Sequence, residues 1–249
     1  MIGADAVAGW ALGLAAPIIG SFLGVLVQRL PEGEAIVWSR SRCELCGTVL
    51  APRDLVPLLG WLAARGRCRH CGVRLGWFYP GIEIAAVLVA LAALAIDDMP
   101  RAGLDCVFGW GLLALGWIDL RCWLLPDALT LPLLAIGIAE AAAYEPDSLL
   151  DRMLGVALGY LLLRLIAILY RVLRGQEGLG GGDAKLLAAT GAWVGAGALP
   201  QVILGAAVAG LAAAAAMQLA GRRLHARSAL PFGPFLGLAA WLVWLWQGW

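Results

Sequence analysis

Residues 186–221 read LLAATGAWVGAGALPQVILGAAVAGLAAAAAMQLAG, 36 positions without one charged side chain. As a single helix this stretch would extend about 54 Å, against a bilayer core of about 30 Å. It must therefore turn, and Gly195–Ala196–Gly197–Ala198–Leu199–Pro200 is the segment suited to turning. Two further runs are uncharged, 23 residues over Ala6–Gln28 and 22 over Ser228–Trp249. Each exceeds the roughly 20 apolar residues that one crossing needs. Hydrophobic residues make up 62% of the 249 and charged residues 14%, where a soluble domain carries about a quarter charged. The chain reads as an all-α polytopic membrane protein. The first run lacks a basic lead-in and is longer than a cleavable signal core, so it is expected to stay as a helix.

Working outward along the apolar runs gives about eight transmembrane helices, at 6–28, 79–96, 102–118, 128–144, 149–170, 184–198, 201–220 and 231–248. Charge orients them. Segment 29–78 holds eight arginines, and Arg121, Arg171, Arg174, Lys185, Arg222, Arg223 and Arg227 fall on the same side. Only Arg101 and Arg152 fall opposite, and Arg164 lies inside a span. The positive-inside rule makes the arginine-rich side cytoplasmic and both termini periplasmic. The net charge of +1 says little about partners, since what matters is where the charges sit; no nucleic-acid partner is expected, and the arginine-rich segment suits anionic membrane lipid. The tryptophans read mostly as interfacial anchors, with 241, 244, 246 and 249 near the outer end of the last span.

Within the cytoplasmic insertion, Cys43–Glu44–Leu45–Cys46 and Cys68–Arg69–His70–Cys71 are paired C-x-x-C units. Four thiolates at this spacing suit a tetrahedral zinc ion, and Gly47 and Gly72 suit the tight turns that such knuckles need. A closed four-sulfur shell leaves no position for water, so zinc here is structural. Two disulfides are the alternative, which a reducing compartment disfavours. His70 is an exposed bystander or a substitute ligand, and Cys106 and Cys122 read as packing residues.

Two acids sit where apolar helices meet the cytoplasmic boundary. Asp119 lies in Trp117–Ile118–Asp119–Leu120–Arg121, and Asp183 follows the glycine-rich Gly178–Leu179–Gly180–Gly181–Gly182. Ionisable groups at membrane depth are costly and are candidates for function. Two facing carboxylates can share a proton, one acting as base toward water while the other stays protonated. That arrangement hydrolyses a peptide bond with neither metal nor nucleophile. Interfacial caps, or a relay in a proton-coupled transporter, use the same residues. A phosphate loop does not fit, because no G-K-[ST] ending and no preceding strand are present.

Several motifs in order now resemble one family. Pro17–Ile18–Ile19–Gly20–Ser21–Phe22–Leu23 with Arg29–Leu30–Pro31, the paired C-x-x-C units, and Pro57–Leu58–Leu59–Gly60–Trp61–Leu62 resemble the amino-terminal part of prepilin peptidases. Tyr79–Pro80 with Glu83, Ile118–Asp119, Leu125–Pro126–Asp127 through Pro132, Gly182–Asp183–Ala184–Lys185 and Pro231–Phe232–Gly233–Pro234–Phe235 continue the likeness to the end. The resemblance implies a GxGD-type intramembrane aspartyl protease of the bacterial inner membrane, with Asp119 and Asp183 catalytic. It implies type IV prepilins or type II secretion pseudopilins as substrates, cut after a glycine on the cytoplasmic side. It also implies N-methylation of the new amino terminus from S-adenosylmethionine, an activity associated with segment 29–78 and zinc. Gly24 stands where the family usually has asparagine, and Phe78 where it commonly has arginine.

On this reading 1–28 is the first membrane helix, 29–78 a four-cysteine zinc module and 79–249 the helical protease domain. Gly180 and Gly182 are expected to shape the backbone beside an extended substrate. Asp127 and Lys185 are further substrate or loop candidates, with a helix N-cap and an interfacial snorkelling residue as their plainer roles. Glu83 is a candidate for orienting substrate or cofactor, or an interfacial acid facing the zinc module. The competing classes are the transporter, against which no internal repeat is evident, and a scaffold subunit in which both aspartates are silent.

Overall fold

The structure is a computed structural model and describes residues 4–36, 40–175, 180–221 and 230–247. Gly178 and Leu179 of the glycine loop, Arg222, Arg223, Arg227 and Trp249 lie outside the described residues. The helices are α1 (Ala4–Arg29), α2 (Leu59–Ala63), α3 (Phe78–Ile96), α4 (Arg101–Cys122), α5 (Asp127–Tyr144), α6 (Leu149–Arg174), α7 (Gly181–Val194), α8 (Leu199–Leu219) and α9 (Gly233–Gln247). Among the described residues the only β-pairing is two isolated bridges.

Each predicted span has its helix, and the turn near Gly195 is present, with Gly195 at φ 78° between α7 and α8. Six helices, α1, α3, α4, α5, α6 and α8, are long and apolar enough to cross a bilayer. The chain is a multi-pass membrane protein. The expected count of eight is not reached on length, because α7 has 14 residues and α9 has 15, about 21–23 Å of rise. Two helices run past their predicted ends. α4 continues to Cys122, which puts Asp119 inside the helix rather than at its end. α6 continues to Arg174. In both, charged residues stay on a helix whose apolar content stops earlier, since arginine is a good helix former and favours the last turn.

The chain forms two compact units, Met1–Ala114 and Leu115–Trp249, with the boundary inside α4. In the first, α1 packs on α3. A Cβ on Gly20 would stand 2.7 Å from Glu83 Cα and 2.9 Å from Ala86 Cβ, so glycine permits the close approach. Trp110 Nε1 donates to the Ala86 carbonyl at 3.0 Å.

In the second unit α7 is the central helix, packed by α5, α6 and α9, and its residues Ala184 and Leu186–Val194 are buried. Small residues let the backbones touch: any Cβ on Gly191 would overlap the Gly155 carbonyl, and one on Gly159 would stand 2.6 Å from the Leu187 oxygen. In a bilayer such packing, rather than the hydrophobic effect, drives helix association. Trp193 Nε1 donates to the Leu133 carbonyl at 2.8 Å, tying α7 to α5. Trp244 is not the interfacial anchor expected of it. It is buried, meets Trp193 edge to face at 5.3 Å, and lies beneath the Arg152 guanidinium at 5.2 Å. Arg152 in turn pairs with Glu145 at 2.9 Å. Trp246, by contrast, is exposed.

Candidate active site and metal centre

Asp119 is buried on α4, one turn before the helix ends. Its Oδ2 accepts the backbone N–H of Gly233, the first residue of α9, at 2.9 Å. The approach demands glycine, since a Cβ there would stand 2.7 Å from that oxygen. The positive end of α9 is thus aimed at the carboxylate. Asp183 lies in the first turn of α7 and accepts a backbone hydrogen bond from Gly180, the N-cap residue. The charge of Asp119 is felt at Asp183, so the two acids share one neighbourhood. A group of this kind, two acids each fixed by a main-chain donor, can hold a water and divide one proton between them.

The glycines beside Asp183 differ. A Cβ on Gly182 would stand 2.9 Å from Leu125 Cβ, whereas one on Gly180 would meet Asp183 Oδ2 at an ordinary 3.5 Å. Close packing therefore requires glycine at 182. Lys185 and Asp127 are brought together, with Nζ 2.7 and 2.8 Å from the two carboxylate oxygens. This corrects the cap reading: Pro126 is the N-cap of α5 and no side chain caps the helix. The pair bridges the starts of α5 and α7 and is exposed at both partners. In the sequence Gly233 stands out only within Pro231–Phe232–Gly233–Pro234–Phe235. The signal that marked it was a glycine between prolines opening an apolar helix, but its target lies 114 residues away.

Cys43, Cys46, Cys68 and Cys71 place their sulfurs within 4.8 Å of one another, and all are free thiols, so the disulfide alternative is not formed. Cys43 Sγ and Cys71 Sγ are 3.8 Å apart, the edge length of a tetrahedron with zinc–sulfur bonds of about 2.3 Å. The two knuckles repeat one pattern. Cys43 N–H donates to the Thr48 carbonyl and Gly47 N–H to Cys43; Cys68 N–H donates to Val73 and Gly72 N–H to Cys68. Gly47 and Gly72 adopt φ of 68° and 71°, the left-handed turn expected of them. Hydrogen bonding to Thr48, by its hydroxyl and its backbone, brings the Cys46 thiol down to about 6, whereas burial and hydrogen bonds to the other three thiols push Cys71 up to about 11. The residues therefore fit one closed metal ion, with His70 exposed outside it. Cys106 is buried as expected of a packing residue; Cys122 is exposed.

The first knuckle is tied to the helices by a closed ring. Gln28 Nε2 donates to Glu44 Oε1 (2.7 Å) and to Tyr79 Oη (2.6 Å), and Tyr79 Oη donates to Glu44 Oε1 (2.8 Å). Glu83 is buried in α3, where Oε2 accepts the Leu58 N–H at 2.7 Å and the carboxylate is hydrogen-bonded to Ser21. Its oxygens are held by the protein's own groups.

Comparison with known proteins follows the same division. Residues 14–96 match the bacterial peptidase A24 N-terminal domain, and residues 106–215 match the type IV leader peptidase family. A prepilin leader peptidase/N-methyltransferase of Burkholderia pseudomallei strain 1026b is 42% identical over 246 residues, covering 88% of this chain and 79% of the relative. Proteins of the same name from Dichelobacter nodosus (34%, 94% and 90% covered) and Pseudomonas aeruginosa (36%, 92% and 87%) are also similar. No solved structure matches the chain. These relations give the transporter alternative no support. A chain with paired acids in a helical membrane unit, a four-thiol centre and this similarity along most of its length belongs to the type IV leader peptidase family.

Proposed function

We propose that this multi-pass inner-membrane enzyme removes the basic leader from type IV prepilins or type II secretion pseudopilins and then N-methylates the new amino terminus. The observation that carries the reading is the pairing of Asp119 and Asp183, each anchored by a backbone N–H, in a chain of the leader peptidase family. One carboxylate takes a proton from water as it attacks the scissile carbonyl, and the other gives its proton to the carbonyl oxygen. Collapse of the tetrahedral intermediate breaks the C–N bond, and the departing amine takes up a proton. The cut follows the glycine that ends the leader, on the arginine-rich side, which the positive-inside rule makes cytoplasmic, with both termini outside. Gly180 and Gly182 shape the strand-like path of the substrate beside Asp183.

The second activity is supported by the names of the relatives. The freed amine is its nucleophile, and S-adenosylmethionine supplies the methyl group. Segment 29–78, with structural zinc on Cys43, Cys46, Cys68 and Cys71, belongs to that activity, and 79–249 to proteolysis. Purified protein mixed with a prepilin tests both steps by mass. Leader loss alone, then one added methyl group when the donor is supplied, is expected. An uncut prepilin would overturn the peptidase reading, and a cut but unmethylated product would overturn the second.

A further inference from the structure

The insertion between α1 and α3 reads in sequence as wholly cytoplasmic, yet its contacts run down into the membrane helices. The 19 residues of α3 rise about 28 Å, barely the thickness of the bilayer core. Phe78 must then sit near the core boundary, and Glu83, five residues on, about 7 Å inside it. Glu83 Oε2 nevertheless accepts the N–H of Leu58 at 2.7 Å. The same carboxylate is hydrogen-bonded to Ser21, eight residues and about 12 Å before the end of α1 at Arg29. Leu58 therefore lies beside the second turn of α3, below the level at which that helix leaves the bilayer.

We propose that residues 55–63 dip into the lipid leaflet on the arginine-rich side and lie in its headgroup–acyl boundary, with Glu83 as the anchor. Main-chain groups at that depth need internal partners, and the amides of Leu58, Leu59, Gly60 and Leu62 have them. Leu58 N–H meets Glu83, Leu59 N–H meets the Pro57 carbonyl at 2.6 Å, Gly60 N–H meets Val56, and Leu62 N–H meets Leu58. The second of these closes a tight turn in which Leu58 holds φ 59°, ψ −51°, a strained conformation for a residue with a side chain. Burying Leu58's amide against a carboxylate maintains it.

The side chains suit lipid. Leu55, Val56, Leu59 (65%) and Leu62 (60%) are exposed. Arg53 and Arg65 flank them and are exposed, as charged stems reaching from an apolar stretch to headgroups are. Trp61 meets Trp77 in a tilted contact, ring centres 4.8 Å apart, and Trp77, which immediately precedes α3, is 75% exposed, an interfacial position for an indole. An apolar face between two arginines, continuous with a membrane helix, fits an anionic phospholipid leaflet.

Depth-resolved quenching tests the placement independently of which reaction the chain performs. The full-length protein, carrying a fluorescent residue in place of Leu59, Leu62 or, as a reference, the exposed knuckle residue Leu45, is reconstituted in phosphatidylglycerol-containing nanodiscs. Lipids brominated near the headgroup should quench the probe at 59 and 62 and spare 45, whereas aqueous iodide should do the reverse. Iodide quenching at 59 and 62 equal to that at 45 would overturn the proposal. So would protection from both quenchers, which would mean a protein partner covers the face. In the Glu83→Ala protein most of the bromolipid quenching at 59 should be lost, and in Glu83→Gln, which still offers an acceptor to Leu58, it should be kept. Unchanged quenching in Glu83→Ala would remove Glu83 as the anchor. Zinc content, measured on each variant, reports that the module is folded.

Discussion

Replacing Gly233 by alanine should disable the aspartate site without touching an acid. The added Cβ would stand 2.7 Å from Asp119 Oδ2, 3.1 Å from its Cγ and 3.2 Å from its Cβ. Ordinary contact begins near 3.4 Å, so either the carboxylate or the start of α9 must move by several tenths of an ångström or more. Overpacking of this kind costs about 1–3 kcal/mol. That is tolerable for a folded membrane protein, but a reacting group displaced by about 1 Å loses on the order of 100-fold in rate. The loss corresponds to about 2.7 kcal/mol of transition-state stabilisation, at about 1.36 kcal/mol per tenfold. Single-turnover leader removal by the purified variant should fall by about that factor with substrate affinity nearly unchanged. Gly197→Ala is the control, because a Cβ there meets nothing within 4 Å. A Gly233→Ala rate within about threefold of the parent, under 1 kcal/mol, would refute the claim that α9 positions Asp119.

Other perturbations separate the parts. Both glycines border the substrate path, and Gly182→Ala should lose more activity than Gly180→Ala because it also meets Leu125, with 2.9 against 3.5 Å of space; equal losses in a cleavage assay would mean that the Leu125 contact adds nothing. Breaking the exposed Lys185–Asp127 pair with Asp127→Asn should shift thermal stability by less than about 1 kcal/mol, read by a thermal melt in detergent, and restoring opposite charges in the swapped double variant should recover it. Cys46→Ser should release the metal, measured by zinc content, and impair methyl transfer while leaving leader cleavage within about threefold. Glu44→Ala opens the ring with Gln28 and Tyr79, and should speed zinc loss to a chelator without changing the metal stoichiometry.

The helices were legible because uncharged runs of bilayer length admit one interpretation, and the knuckles because four cysteines and two glycines specify a local geometry. Helix ends were less so: Asp119 and Arg121 look like a boundary, yet α4 carries both inside its last turn. What could not be read was pairing across distance. Lys185 and Asp127, 58 residues apart, each had a sufficient local explanation as a snorkelling residue and a cap. Gly233 had no local chemistry at all, because it contributes a main-chain N–H and an absent side chain. Trp244 looked like its neighbours at 241 and 246, and only the packing of α9 on α7 turns it toward Trp193. Glu83 was visible as an acid but its partner was not, since a backbone amide in a strained turn leaves no mark in composition.

The central claim is that Asp119 and Asp183 act as one catalytic pair, and isosteric substitution tests it most directly. Purified Asp119→Asn and Asp183→Asn proteins, each with full zinc content and the parent's melting behaviour, are incubated with a prepilin and the leader is followed by mass. Loss of cleavage in both single variants, with the double variant no worse than either, is the predicted result. Full activity in either one would contradict it.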